Sequence, residues 1–157
     1  MIRIIMLGKL KESFWVEAEK EYLKRLSAFS KIEIVELREE AFSEKDSAEN
    51  VKKKESEKIL KLISSDDFVV ALDEHGKQYS SVGFSSELMK WLEQGASRGT
   101  LTFAIGGPLG LDESILRRAN AKLSFSQMTF THQMVRIFLL EQIYRGYMIS
   151  AGRKYHY

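Results

Sequence analysis

A chain of 157 residues, 44% hydrophobic and 29% charged, has the size and balance of one globular domain with a substantial core. It contains no cysteine, which excludes disulfides, thiolate metal sites and cysteine nucleophiles together. The net charge of +2 is too small to announce nucleic-acid binding, no apolar run approaches a bilayer span, and the opening MIRIIMLGKLKE lacks a signal-peptide core.

Residues 3–7 form a short apolar strand ending at Gly8. Residues 12–26 place Phe14, Trp15, Ala18, Tyr22, Leu23 and Leu26 at the spacing of an amphipathic helix. A second strand is predicted over 31–37, then a charged connection, then a helix over 49–63 with a narrow apolar edge at Ile59, Leu60 and Ile63. Residues 68–72 are continuously apolar, which suits a parallel strand covered on both faces. A polar turn over 73–77 follows, with His75 read as exposed, and then a helix over 85–94 that Gly95 should stop.

The stretch over 101–136 is the richest in chemistry. A strand over 101–105 runs into Gly106-Gly107-Pro108-Leu109-Gly110, whose glycines permit positive φ or close approach of backbone to a ligand. Asp112 is placed to cap a short helix over 114–118, and a strand is predicted over 121–125. His132 then opens a long helix over 132–148, with Thr131 as its cap. Alternating strands and helices predict an α/β fold, one domain with a parallel sheet and helices on both faces. Ligands of such sheets bind beyond the carboxyl ends of the strands, here the loops 72–77, 106–111 and 125–132.

Charge is unevenly spread. Residues 36–67 carry ten acidic against seven basic side chains, whereas residues 129–157 carry four basic against one acidic. The basic end, interleaved with Tyr144, Tyr147, Tyr155 and His156, suits phosphates and stacked bases, or is simply a solvated helix end. Trp15, Trp91, Phe103 and Phe138 read as packing residues, and Glu141 with Arg145 as an ordinary i, i+4 ion pair.

Taken together, IGGPLG, LSFSQMTFTHQMVR, EQIYRGYMI and the closing YHY resemble the small bacterial SPOUT-class 23S ribosomal RNA pseudouridine N3-methyltransferases. MIRIIMLGKLKE and VALDEHGK fit the same family, so the resemblance covers essentially the whole chain. It departs at Thr131, where the family usually has proline. The resemblance implies a parallel-sheet SPOUT fold with a C-terminal trefoil knot, and S-adenosyl-L-methionine held by Leu72, Gly106, Gly107 and the segment Phe125, Ser126, Gln127, Met128, Thr129 and Phe130. It also implies a tail that folds back over the site, a homodimer with a composite site, a cytoplasmic location, no membrane or metal, and 23S rRNA as partner within the large subunit or the assembled ribosome.

Four residues are candidates for the chemistry. A helix N-terminus favours a neutral imidazole, and Arg136 lies one turn beyond His132 on the same face. A base beside a fixed cation suits a ring that must lose an imide proton. His132 is one expected base, with Arg136 the stabiliser of the pyrimidinate; the tail that the resemblance folds over the site offers His156 as the other and Tyr155 as a base-positioning contact, with Arg145, Arg153 and Lys154 on the RNA. Alternatively, His132 only caps its helix and Arg136 binds a neighbouring carboxylate. A rival reading is a non-catalytic flavodoxin-like nucleotide-binding module. The Gly106 turn, which lacks a phosphate-binding Ser/Thr/Lys cluster, speaks against it.

Overall fold

Five strands assemble into a single parallel sheet in the order β2-β1-β4-β3-β5. The structure, a computed structural model, describes residues 1–43 and 45–155. Along the chain the elements are β1 (Ile2–Leu7), α1 (Ser13–Leu26), β2 (Ile32–Leu37), α2 (Ala48–Leu60) and β3 (Phe68–Lys77). They continue with α3 (Ser81–Arg98), β4 (Leu101–Ile105), α4 (Glu113–Arg118), β5 (Ala121–Leu123) and α5 (His132–Ser150). The order differs from the flavodoxin-like arrangement, in which the third and fourth strands are exchanged.

Strand alternation divides the apolar residues between two layers. Ile2, Ile4 and Met6 of β1, with Leu101, Phe103 and Ile105 of β4, face α1, α3 and α5. Ile5, Leu7, Ala71 and Ala104 face α2 and α4 through Ile59 and Ile115. Helices therefore cover both faces, as the unbroken apolar strands require.

Three expectations are corrected. The third helix starts at Ser81, capped by the Ser80 hydroxyl, and runs through Gly95 to Arg98; the glycine that stops it is Gly99. The strand predicted over 68–72 continues to Lys77, so residues 73–77 are strand rather than turn. Phe14, read as part of an apolar helix face, is 57% exposed. The long helix α5, apolar on more than one face, is partly covered within the chain. This helix packs against both α1 and α3, burying Ile137, Leu139, Leu140 and Ile143. Its low amphipathicity reflects neighbours on several sides.

β3 holds β5 at two points. Leu123 pairs with Leu72, and after a register shift it pairs again with Lys77, whose carbonyl accepts from Ser124 N at 3.0 Å. Gly76 makes this return possible, because a Cβ there would lie 2.7 Å from the Leu123 carbonyl carbon. Gly76→Val is expected to lower Tm by more than about 5 °C in a circular-dichroism melt. An unchanged melt would show that β5 is free to yield.

Candidate active site

The strand order brings the expected loops together. β4, β3 and β5 are neighbours, and Leu72 lies opposite both Ile105 and Leu123 in register. The segments following these three strand ends therefore share one edge of the sheet. Each is shaped by its own residues. Gly107 and Gly110 close a tight turn, with Gly110 N donating to the Gly107 carbonyl at 2.9 Å. A Cβ on Gly106 would stand 2.6 Å from the Gly110 carbonyl carbon, so the turn itself demands glycine here, before any ligand approaches. After β5, the Ser124 hydroxyl donates to the Ser126 carbonyl at 2.9 Å and the Ser126 hydroxyl accepts from Met128 N at 3.0 Å. Thr131 then caps α5 by accepting from Met134 N at 3.4 Å, the role expected of it in place of proline.

Beside these loops a cavity of about 460 Å³ opens between α3, α5 and the segment after β5. Its walls are aromatic: Tyr79, Phe84, Phe125, Phe130 and Phe138. Phe130 meets Phe138 edge-on at 5.4 Å between centroids. Phe138 is thus a cavity wall as well as a packing residue. Ser81, Gln142 and Glu141 form a polar side, and among the described residues Glu141 is the only charged one of the lining. A second, polar depression is bordered by Glu74, His75, Gly76, Gln78 and Gln127.

The expected site residues are distributed unevenly over this surface. Phe125 and Phe130 line the aromatic cavity and Gln127 the polar depression. Met128 and Thr129 are exposed, and Ser126 is half-buried. Leu72, midway along β3, and Gly106 and Gly107, just past the end of β4, lie outside the lining of the aromatic cavity. Tyr155 returns to α5, with Arg145 over its ring at 4.9 Å. Arg145 itself is held by Glu141 through Nε at 2.9 Å and Nη2 at 2.6 Å, the ion pair read from the i, i+4 spacing. Arg153 and Lys154 are exposed, Arg153 lying 5.6 Å from the Phe29 ring. His156 lies outside the described residues.

His132 and Arg136 do not converge on the aromatic cavity. His132 packs over Gly8, whose missing Cβ would lie 2.6 Å from Nε2, and its Nδ1 stands 3.7 Å from Glu39 Oε1. Arg136 is 2% exposed, with its guanidinium between Glu19 of α1 and Glu36 of β2; the Glu36 contact is 2.6 Å. Arg136, the expected stabiliser of an anionic substrate, has its guanidinium paired with two carboxylates in this structure. The alternative weighed from sequence, a neighbouring carboxylate, is the one the fold builds.

Several site residues escape the sequence pattern. Glu55, buried in α2, lies under the Gly107 turn and accepts from Glu40 N at 2.9 Å, while Ser56 accepts from Asp112 N at 3.0 Å. Burial above all pushes the Glu55 carboxyl up from its usual range, with Glu39 adding like charge. Tyr79, Phe84 and Glu141 were also missed as cavity residues. No local spacing singles out Glu55 and Ser56 within the charged run of residues 52–58. Among the described residues no group of His, Asp or Glu side chains is arranged to hold a metal ion, and no helix is long and apolar enough to cross a membrane.

Residues 1–156 match the family described as Predicted SPOUT methyltransferase. The chain belongs to the SPOUT methyltransferase family. It is 46% identical to the ribosomal RNA large subunit methyltransferase H of Pelotomaculum thermopropionicum over 99% of this chain and 98% of that protein. It is 48% identical to the protein of that name from Ligilactobacillus salivarius and 45% identical to the one from Enterococcus faecalis, each over 99% of this chain and 98% of the relative.

The ion pairs of Arg136 give a direct test. Arg136→Ala leaves two carboxylates without their counter-charge, one of them, Glu19, already raised above its usual pKa by burial. We expect a loss of about 3–5 kcal/mol in urea unfolding. Stability within about 1 kcal/mol of wild type would return the guanidinium to a functional role.

Proposed function

We propose that this chain transfers a methyl group from S-adenosylmethionine to N3 of a pseudouridine in 23S ribosomal RNA, within the large subunit or the assembled ribosome. The observation that carries the reading is an aromatic cavity beside the clustered strand-end loops, in a chain aligned almost end to end with relatives named for large-subunit rRNA methylation. Aromatic walls suit a purine, and Gln142 beside them offers an amide to its polar edge. When bound, S-adenosylmethionine supplies an electrophilic methyl group carried on a sulfonium.

The chain's own residues supply alignment and proton removal. Phe125 and Phe130, with Leu72, Gly106, Gly107 and the intervening residues Ser126, Gln127, Met128 and Thr129, hold the cofactor. His132 or His156 accepts the imide proton, and Tyr155 positions the base. Arg145, Arg153 and Lys154 serve the RNA, Arg145 through its pairing with Glu141. Arg136 acts by fixing α5 to α1 and β2. The location this reading implies is the cytoplasm, where ribosomes are.

Two further elements belong to the proposal. One is a trefoil knot. It rests on membership of the SPOUT family. The other is a homodimer with a composite site. Phe14 and Phe130 are exposed apolar surface close to the loops, and α1 buries only Leu26 fully in its own chain.

Purified protein and tritiated S-adenosylmethionine, incubated with large subunits, assembled ribosomes and naked 23S rRNA, test the reaction. Label should appear in N3-methylpseudouridine in at least one of the three. Label in another nucleoside, or in none, overturns the assignment. Sedimentation at micromolar concentration should give twice the mass of one 18.1 kDa chain; a monomer removes the dimer.

A further inference from the structure

Glu141 faces two ways. From the middle of α5 its side chain lines the aromatic cavity, where Gln142 accompanies it. Its Oε2 accepts from Gln142 Nε2 at 2.6 Å, and the Ser81 hydroxyl donates to Gln142 Oε1 at 3.2 Å. Its Oε1 takes both nitrogens of Arg145 and stands 3.5 Å from the Tyr155 hydroxyl. Among the described residues, Glu141 is the one that both borders the cavity and meets the C-terminal tail.

The tail reaches this point because α5 ends in a reversal. Gly152 takes a left-handed φ of +64°, its N–H donates to the Ile149 carbonyl at 3.0 Å, and Arg153 N–H donates to the Met148 carbonyl at 2.9 Å. The chain is thereby turned back along its own helix. Tyr155 lands edge-on against Tyr144 at 4.9 Å between centroids and under the Arg145 guanidinium. Tyr22 of α1 lies in the same cluster, and its hydroxyl is pushed up to about 12, by burial first and by Tyr155 next. A carboxylate held from three sides has few free orientations. Moving it on the cavity side moves it on the tail side.

We infer that Glu141 is a positioning residue that couples occupancy of the cavity to the seating of the C-terminal tail, through the chain Ser81–Gln142–Glu141–Tyr155. The ligand that engages it is a cationic nucleoside-type molecule, and the inference rests on the cofactor reading of the cavity given above. A ligand contacting Glu141 and Gln142 fixes the carboxylate in the orientation that holds Arg145 and Tyr155. An empty cavity leaves that orientation less restrained. The coupling is reciprocal, so a seated tail also tightens the ligand.

The test uses the full chain and trypsin cleavage after Arg153 and Lys154, followed by mass spectrometry. Binding of S-adenosylmethionine and of uncharged-sulfur S-adenosylhomocysteine is measured in parallel by calorimetry. In wild type, saturating S-adenosylmethionine should slow tail cleavage at least about fivefold, and S-adenosylhomocysteine less. In Glu141→Gln, which keeps the shape and loses the charge, the slowing should fall below about twofold at saturation. Tyr155→Phe keeps the ring against Tyr144 and removes only the hydroxyl; it should bind ligand and lose protection likewise. Full protection in Tyr155→Phe overturns the coupling, as does wild-type binding without protection. Failure of wild type to bind either compound instead removes the cofactor reading of the cavity.

Discussion

The buried guanidinium of Arg136 is the constraint on which the arrangement depends. One side chain joins three elements, because its carboxylate partners come from α1 and from the edge strand β2. A charge removed from water must be matched closely or it destabilises the fold, so the geometry of α5 relative to α1 and β2 is narrowly set. That helix carries His132 at its start, Phe138, Glu141 and Gln142 on the cavity, and Arg145 over the ring of Tyr155 in the returning tail. Fixing its rotation about its own axis fixes which of these residues face the cavity and which face the core.

The cavity is a product of order in the sheet as much as of side chains. Placing β3 between β4 and β5 makes neighbours of three loops that are well separated in sequence. The glycine-rich turn after β4 closes on itself and is braced from below by Glu55 and Ser56 of α2. The longer segment after β5 is pinned by its own serines and left open at Met128, which is 72% exposed. Of the two, the segment after β5 lines the cavity, and the glycine-rich turn lies outside its lining.

Much of the fold could be read from the chain, for reasons visible in particular residues. The strand runs Ile2–Leu7 and Leu101–Ile105 are apolar on both faces, and only a parallel sheet covered on both sides accommodates that. Asp112 and Thr131 announced helix starts because their oxygens satisfy backbone N–H groups that have no other partner. Gly95 misled, since a glycine inside a helix and one ending it look alike until the next element is placed. The partners of Arg136 were illegible for a different reason. Glu36 is 100 residues away in sequence, and no local spacing records such a contact. Exposure of Phe14 and packing of α5 on two sides depend likewise on neighbours that periodicity does not reveal.

β5 is three residues long, yet it decides whether β3 is an interior or an edge strand. During synthesis β3 emerges well before β5, so for an interval Val69, Val70 and Ala71 present an open row of backbone donors and acceptors beside apolar side chains. Such an edge is a template for pairing between chains. It is covered only when the last quarter of the polypeptide arrives, and the same segment brings Leu123, Phe125, Phe130 and α5 to the cavity. Protection from aggregation and assembly of the aromatic cavity are therefore one event, and a nascent chain halted before it would be sticky and without its cavity at once.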